Sequence, residues 1–244
     1  MSHRVTARAF LSLIVLLAAC AAPSRSGAPG EPTGRAARGS PPSAGRAAPP
    51  RSASTGWEIG GAGGVTLGDG EPANDLTTYG VFARRRLNDV WAARFALDRM
   101  SYDFERPAKL LGITQDPGAE VVDAAATATT LSAWIERTFG GAESANEWFA
   151  GAGLGLSSVD VDDASGPVAG GGSFDIATDA GTEILASLDA GYRRALSAHW
   201  TLEGLLRVNQ HFADWKVVDR VSGAEGTVDD YTTWSFLLGI AYGL

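Results

Sequence analysis

Beyond residue 55 the chain alternates apolar and polar side chains with a period of two, in segments near 57–67, 76–87, 90–104, 126–139, 147–159, 182–196, 199–213 and 230–244. That period puts successive side chains on opposite faces of a strand. In the seventh segment Trp200, Leu202, Leu206, Val208 and Phe212 share one face, and Thr201, Glu203, Arg207, Asn209 and His211 share the other. The eighth sets Trp234, Phe236, Leu238, Ile240, Tyr242 and Leu244 against Thr233, Ser235, Gly239, Ala241 and Gly243. An amphipathic helix would need a repeat near 3.6, which these segments do not supply. Most are long enough to cross a bilayer when tilted, which takes roughly 9–11 residues.

The connections alternate in length. Those around Asn88-Asp89, Gly140 to Asn146 and Ser197-Ala198 are short, whereas those near 105–125, 160–181 and 214–229 are long, polar and rich in Gly and Asp. Bacterial barrels show this asymmetry, with short turns on the periplasmic side and longer loops outside. Trp57, Trp91, Trp148 and Trp200 all fall at the short-turn side, together with Phe139, Tyr192 and Tyr242. An indole has an apolar body and one N–H donor, so it is most stable where hydrocarbon meets water. These seven residues therefore mark one aromatic girdle, with Tyr79, Phe212 and Trp234 marking the opposite rim. The pattern predicts an all-β fold, an eight-stranded antiparallel up-and-down transmembrane β-barrel, over residues 56–244.

Alternation alone leaves open whether the apolar face meets lipid or a ligand inside the barrel. If the charged face points inward, Glu58, Asp98, Glu136, Glu183, Asp189 and Glu203 meet Arg84, Arg86, Arg94, Arg193 and Arg207 in a nearly balanced lumen network. Pairing lowers the desolvation cost each lone charge would carry. Gly60, Ala62, Gly64, Gly151, Gly153 and Gly155 share that face and leave room for long side chains. A lipocalin-like periplasmic lipoprotein would instead bury several tryptophans and place the charges in solvent. Some positions fit less well. Between Leu97 and Phe104 the phase shifts, with Arg99 outward and Met100, Tyr102 and Phe104 inward, which predicts a bulge near the external rim. Arg85 and Arg137 also face outward, near periplasmic strand ends where a charge costs about 0–1 kcal/mol.

The first residues carry His3, Arg4 and Arg8 before an apolar run from Ala9 to Ala19, the anatomy of an export signal over residues 1–19. Leu17-Ala18-Ala19-Cys20 closes it and resembles the lipobox of bacterial lipoproteins, which implies lipidation at Cys20; the alternative is ordinary cleavage near Ala22. Residues 20–55 are Ala, Pro, Gly, Ser and Arg with little apolar surface, and are expected to form a disordered tether. Its arginines would favour anionic lipid or peptidoglycan contact; the alternative is a solvated spacer with no partner. Seven of the 20 Lys and Arg and one of the 28 Asp and Glu precede residue 56, leaving 13 basic against 27 acidic residues in the remainder. So acidic a domain is a poor partner for nucleic acid. With one cysteine in the chain, no internal disulfide can form.

Candidate chemistry is sparse. His211 lies near Asn209 and Asp214, but the surrounding stretch Val208 to Asp214 holds no serine to serve as a nucleophile. It is expected to be a rim or network residue. Asp160, Asp162, Asp163, Asp175 and Asp179 lack the spacing of a calcium hand and are expected to be solvated loop acids, or more loosely to bridge lipopolysaccharide phosphates through divalent ions. The glycine runs Gly60-Gly61-Ala62-Gly63-Gly64 and Gly170-Gly171-Gly172 precede no lysine and no helix start, so a phosphate loop is excluded. No metal and no cofactor are expected.

On these strands and their closing segment, residues 56–244 resemble the small eight-stranded outer-membrane barrels, such as the transmembrane domain of outer-membrane protein A and the OmpX-like proteins. Trp234 to Leu244 looks like the terminal strand that the barrel-assembly machinery recognises, with Leu244 where the family usually has an aromatic. The resemblance implies location in the bacterial outer membrane, contact with its lipid and lipopolysaccharide, and a non-enzymatic structural or surface-interaction role. The alternatives are a barrel enzyme modifying lipid A, or a ligand-binding barrel.

Overall fold

The computed structural model describes residues 56–69, 74–104, 107–140 and 145–244. The expected signal, Cys20 and the tether lie outside them. Eight long strands close into an antiparallel barrel: β1 (Trp57–Asp69), β2 (Asn74–Arg86), β3 (Trp91–Phe104), β4 (Ala124–Phe139), β5 (Asn146–Val161), β8 (Thr182–Ala195), β9 (Trp200–Phe212) and β12 (Tyr231–Gly243). Sequential strands pair as neighbours, and β12 closes on β1 from Glu58↔Gly243 to Asp69↔Thr232. Two of the short turns carry side-chain chemistry that ends a strand. Asn88 Oδ1 accepts from the Val90 and Trp91 N–H groups, both at 2.9 Å, and Ser197 Oγ accepts from Trp200 N–H at 3.2 Å.

The long connections are not the plain polar loops the composition suggests. The β3–β4 connection holds a one-turn helix, α1 (Pro107–Leu110). The other two contribute β6 (Ala164–Pro167), β7 (Ser173–Asp179), β10 (Trp215–Asp219) and β11 (Glu225–Val228), which form a second sheet in the order β11-β10-β7-β6. Pairing of β7 with β10, from Lys216↔Asp179 to Asp219↔Ile176, joins two connections that are distant in sequence.

The interior falls into two layers. Toward the short turns it is charged and aromatic. Toward the long connections it is an apolar core that runs from the barrel wall into the second sheet: Met100, Tyr102, Phe104, Ala128, Val159, Phe174, Ile176, Trp215, Val217 and Tyr231 are all buried in it. This corrects the predicted bulge. β3 pairs with β4 without interruption from Trp91↔Arg137 to Phe104↔Ala124, and the register shift lies in β2, between Asn74 and Thr77. Met100, Tyr102 and Phe104 face inward because the second sheet offers them apolar partners, so no slip of phase is required.

In the charged layer, large side chains lie across glycines of the neighbouring strand. A Cβ at Gly153 would overlap the Trp134 ring, and one at Gly191 would overlap Phe149. The narrow bore is thus filled by a ring on one strand and a missing side chain on the next.

Candidate functional site

The charged layer is built by alternation. Inward positions near the short turns bring Glu58, Arg84, Arg86, Arg94, Glu136, Glu147, Arg193 and Glu203 to the bore, with rings and glycines between them. Arg84 donates to Glu58 through Nε at 2.6 Å and to Glu203 through Nη1 at 2.7 Å. Glu203 also meets Arg94 Nη1 at 3.1 Å and Arg193 Nε at 3.2 Å, so three guanidinium groups converge on it. Arg193 reaches on to Glu136, which Arg94 approaches at 3.6 Å. Arg86 pairs with Glu147 at 2.8 Å and Arg207 with Asp98 at 2.8 Å. Arg94 is 1 % exposed and Glu136 and Glu203 are 0 %, so these pairs act in a medium where a lone charge would be costly.

Aromatic faces complete the coordination. The Arg193 guanidinium carbon lies 3.6 Å from the Phe149 ring centroid, that of Arg94 4.0 Å from Phe82, and that of Arg207 4.3 Å from Trp134. Desolvated cation–π contacts of this kind contribute on the order of 2 kcal/mol. Asp189 joins the layer without a hydrogen bond to either oxygen; Arg207, opposite it in the β8–β9 register, is turned to Asp98.

Above this layer Glu183 takes a different partner. Its Oε1 accepts from His211 Nδ1 at 2.6 Å and from the Tyr231 hydroxyl at 3.1 Å. A carboxylate at Nδ1 fixes the tautomer, leaving Nε2 to accept from the Thr233 hydroxyl at 3.1 Å. Tyr231 stacks on the imidazole at 4.3 Å between centroids. The order hydroxyl, imidazole, carboxylate is that of an activated nucleophile, but Thr233 and His211 are buried and Tyr231 and Trp215 roof them. The group ties the polar layer to the apolar one. Asp214, the carboxylate nearest His211 in sequence, is exposed.

Around the outside, the seven girdle residues occupy the short-turn rim. Trp148 packs on Tyr192 and Trp200 on Tyr242, each with centroids 5.0 Å apart, Trp148 being 64 % exposed. Trp91 and Phe139 flank Arg137, and Trp57 lies beside Arg85. Tyr79, Phe212 and Trp234 are exposed on the outer surface.

On the second sheet, Asp163 and Asp175 pair with Arg220 at 2.6 and 3.3 Å, and Asp163 chiefly holds that guanidinium above its ordinary range. Asp219 accepts from the Ser222 hydroxyl and from the Asp175 backbone N–H, which hold its carboxyl down at about 2. Two of the loop acids thus hold a sheet corner together. Among the described residues no three His, Cys, Asp or Glu side chains converge as a metal site would require.

Three participants escape a reading of the sequence by candidate type. Glu147 directly precedes the outward Trp148, so alternation alone would have placed it inward. Trp134 is an indole in the bore, on the inward phase of Glu136 and opposite to the outward Phe139. Thr233 becomes a partner of His211 through the β9–β12 register, which no local pattern reveals.

The sequence matches no protein-family model and no curated protein. Among solved structures, the outer membrane protein OprG from Pseudomonas aeruginosa superposes with a TM-score of 0.54 at 13% identity, over 81% of this chain and 98% of that one. Neisserial surface protein A gives 0.49 at 17% identity over 78% and 97%, and a major outer membrane protein from Thermus thermophilus gives 0.45 at 13% over 77% and 99%. The likeness to the Pseudomonas protein is one of fold: a closed, eight-stranded antiparallel β-barrel.

Proposed function

We propose that this chain is an integral protein of the bacterial outer membrane, a non-enzymatic barrel that serves the envelope as a structural or surface-interaction element through its capped, long-loop end. One observation carries the reading: the barrel is inside out. Leu238 is 71 % exposed and Leu154 66 %, while Arg94, Arg193, Glu136 and Glu203 are buried. An aqueous exterior would leave a continuous apolar belt uncovered, which soluble monomers avoid. A hydrocarbon exterior covers it and requires every backbone group to be satisfied, as closure of β12 on β1 achieves.

The same observation disfavours a lipocalin-like binder, whose apolar face would line the interior. A lipid A enzyme is disfavoured as well, since among the described residues the one histidine bonded to both a hydroxyl and a carboxylate, His211, is enclosed behind Tyr231. A bore filled by ion pairs and rings suits a scaffold better than a diffusion channel. The Pro- and Arg-rich tether, lipidated at Cys20, would give a second attachment to the same membrane.

The test is fractionation of cells expressing the full chain, with gel migration before and after boiling. Retention in the outer-membrane pellet after carbonate washing and a heat-modifiable band are expected; release into the soluble fraction would overturn the proposal. Mass spectrometry of the mature N-terminus checks the anchor separately, because an unmodified terminus beyond Cys20 removes the lipid and leaves the barrel.

A further inference from the structure

The outer surface carries cations at the short-turn rim. At the short-turn rim Arg85, Arg137 and Arg194 point away from the bore, whereas Glu136, Glu147 and Glu203 from the same end point into it. At the opposite end Asp160, Asp162, Asp214 and Asp230 are exposed beside Arg99, Lys216 and Arg220. The arginines are also framed by rings. Arg85 lies 5.5 Å from the centroid of Trp57, its partner across the β1–β2 register, and among the described residues it enters no ion pair.

Directly inward from this pair on the same outer face, Ile59 and Ala83 begin an apolar groove that continues over Gly61 and Val81 and is walled by Phe95 and Tyr242. Gly61 and Ala83 leave its floor low, and the large side chains on either side raise its walls. Arg85 and Trp57 thus stand next to its short-turn end, and its lining is apolar but for the polar atoms of Trp200 and Tyr242.

We infer that this groove and Arg85 form a binding site for one anionic glycerophospholipid, with an acyl chain along the groove and the phosphate on the guanidinium. The inference rests on the membrane reading proposed above. Its occupant follows from charge and shape together. A guanidinium recognises phosphate oxygens through charge-assisted hydrogen bonds, and an indole beside it sits at headgroup depth. A zwitterionic headgroup brings its own ammonium, which competes with Arg85 for the phosphate, so the site selects net negative charge.

The experiment uses the full chain folded in detergent micelles with equimolar phosphatidylglycerol and phosphatidylcholine, and counts retained lipid by native mass spectrometry. One basic residue near a membrane surface changes anionic-lipid affinity about fivefold, so wild type should retain phosphatidylglycerol over phosphatidylcholine by about that factor. Arg85→Gln should bring the ratio near parity with total retention little changed. Ala83→Leu, which fills the groove, should lower retention of both lipids, and free glycerol phosphate at the same concentration should displace neither. Parity in wild type, or both variants behaving as wild type while the heat-modifiable band is present, overturns the site. Displacement by glycerol phosphate overturns the role of the groove. A chain that gives no folded band in micelles at all overturns the membrane reading instead, so the two failures are distinct.

Discussion

The two ends of one strand meet opposite environments. β3 turns Arg94 into a ring of carboxylates near the short turns and, ten residues on, turns Phe104 with the same inward phase into an apolar core against Trp215. Direction is identical at both places; what lies opposite is not. Near the short turns the inward residues of facing strands meet across a narrow bore and neutralise one another. Near the long connections the chain returns as a sheet, and the inward residues pack as they would in a water-soluble domain. The period of a strand thus fixes which way a side chain points, and the closure of that end fixes what kind of side chain can be accommodated there.

The comparison is broken most severely at Glu203, where Arg84, Arg94 and Arg193 converge. Glu203→Gln leaves three buried guanidinium groups short of a charge partner, and removing one member of a buried pair costs about 3–5 kcal/mol. The expected result is a large drop in the urea midpoint of the heat-modifiable band. A loss under about 1 kcal/mol would mean that the ionic layer fills space without stabilising the barrel.

In the other layer the matching change is Trp215→Ala. Trp215 is 1 % exposed and touches Phe104 and Tyr231 edge-on, so the cavity it leaves should cost about 3 kcal/mol. The loss should be local. Amides of β7 and β10 should exchange faster by hydrogen exchange while the barrel strands keep their protection, because the second sheet pairs with itself and not with the barrel ladder. Equal deprotection of both sheets would show that cap and barrel unfold as one unit.

How far the sequence foretold this contrast depends on length scale. The eight barrel strands were legible because each carries many alternations, and the rim position of the tryptophans because they sit at the short-turn ends of those strands. The inward direction of Met100, Tyr102 and Phe104 was misread as a slip of phase needing a bulge, because the apolar partners that hold them inward lie in chain far later in the sequence. β6 and β11 have four residues each, too few for a period to stand out, and Gly166 and Pro167 read as loop. The partners of His211 were hidden for a related reason: Glu183 and Thr233 reach it from β8 and β12, and only the register brings them together.

A smaller perturbation sharpens the packing half of the comparison. At Gly153 a side chain must displace the Trp134 ring, which lies under the Arg207 guanidinium, and Gly153→Val should therefore cost about 1–3 kcal/mol by overpacking. Trp134→Leu in the same chain should recover part of it. Additive effects in that double-mutant cycle would show that ring and glycine do not share one space.

The smallest effect is expected at the corner of the second sheet, and it is set by pH. Asp219 accepts from Ser222 and from backbone N–H groups of Asp175, Val221 and Ser222, with Ser222 Oγ the largest influence, and its carboxyl titrates at about 2. An unfolded aspartate titrates at about 3.9. The folded value is the lower one, so the charged form favours the folded corner; its contribution is complete above the unfolded value and is lost as pH falls through the folded one. Protection of β10 and β11 amides, taken relative to the intrinsic exchange rate at each pH, should consequently fall between about pH 4 and pH 2 in the wild type, with Asp219→Asn showing lowered protection already at about pH 6 and little further change on acidification. Because this corner lies in the layer without buried ion pairs, the barrel band should be unaffected by Asp219→Asn at that same near-neutral pH. A barrel that loosened together with the corner in that variant would mean that the cap holds the ionic layer closed, and the division between the two halves would have to be given up.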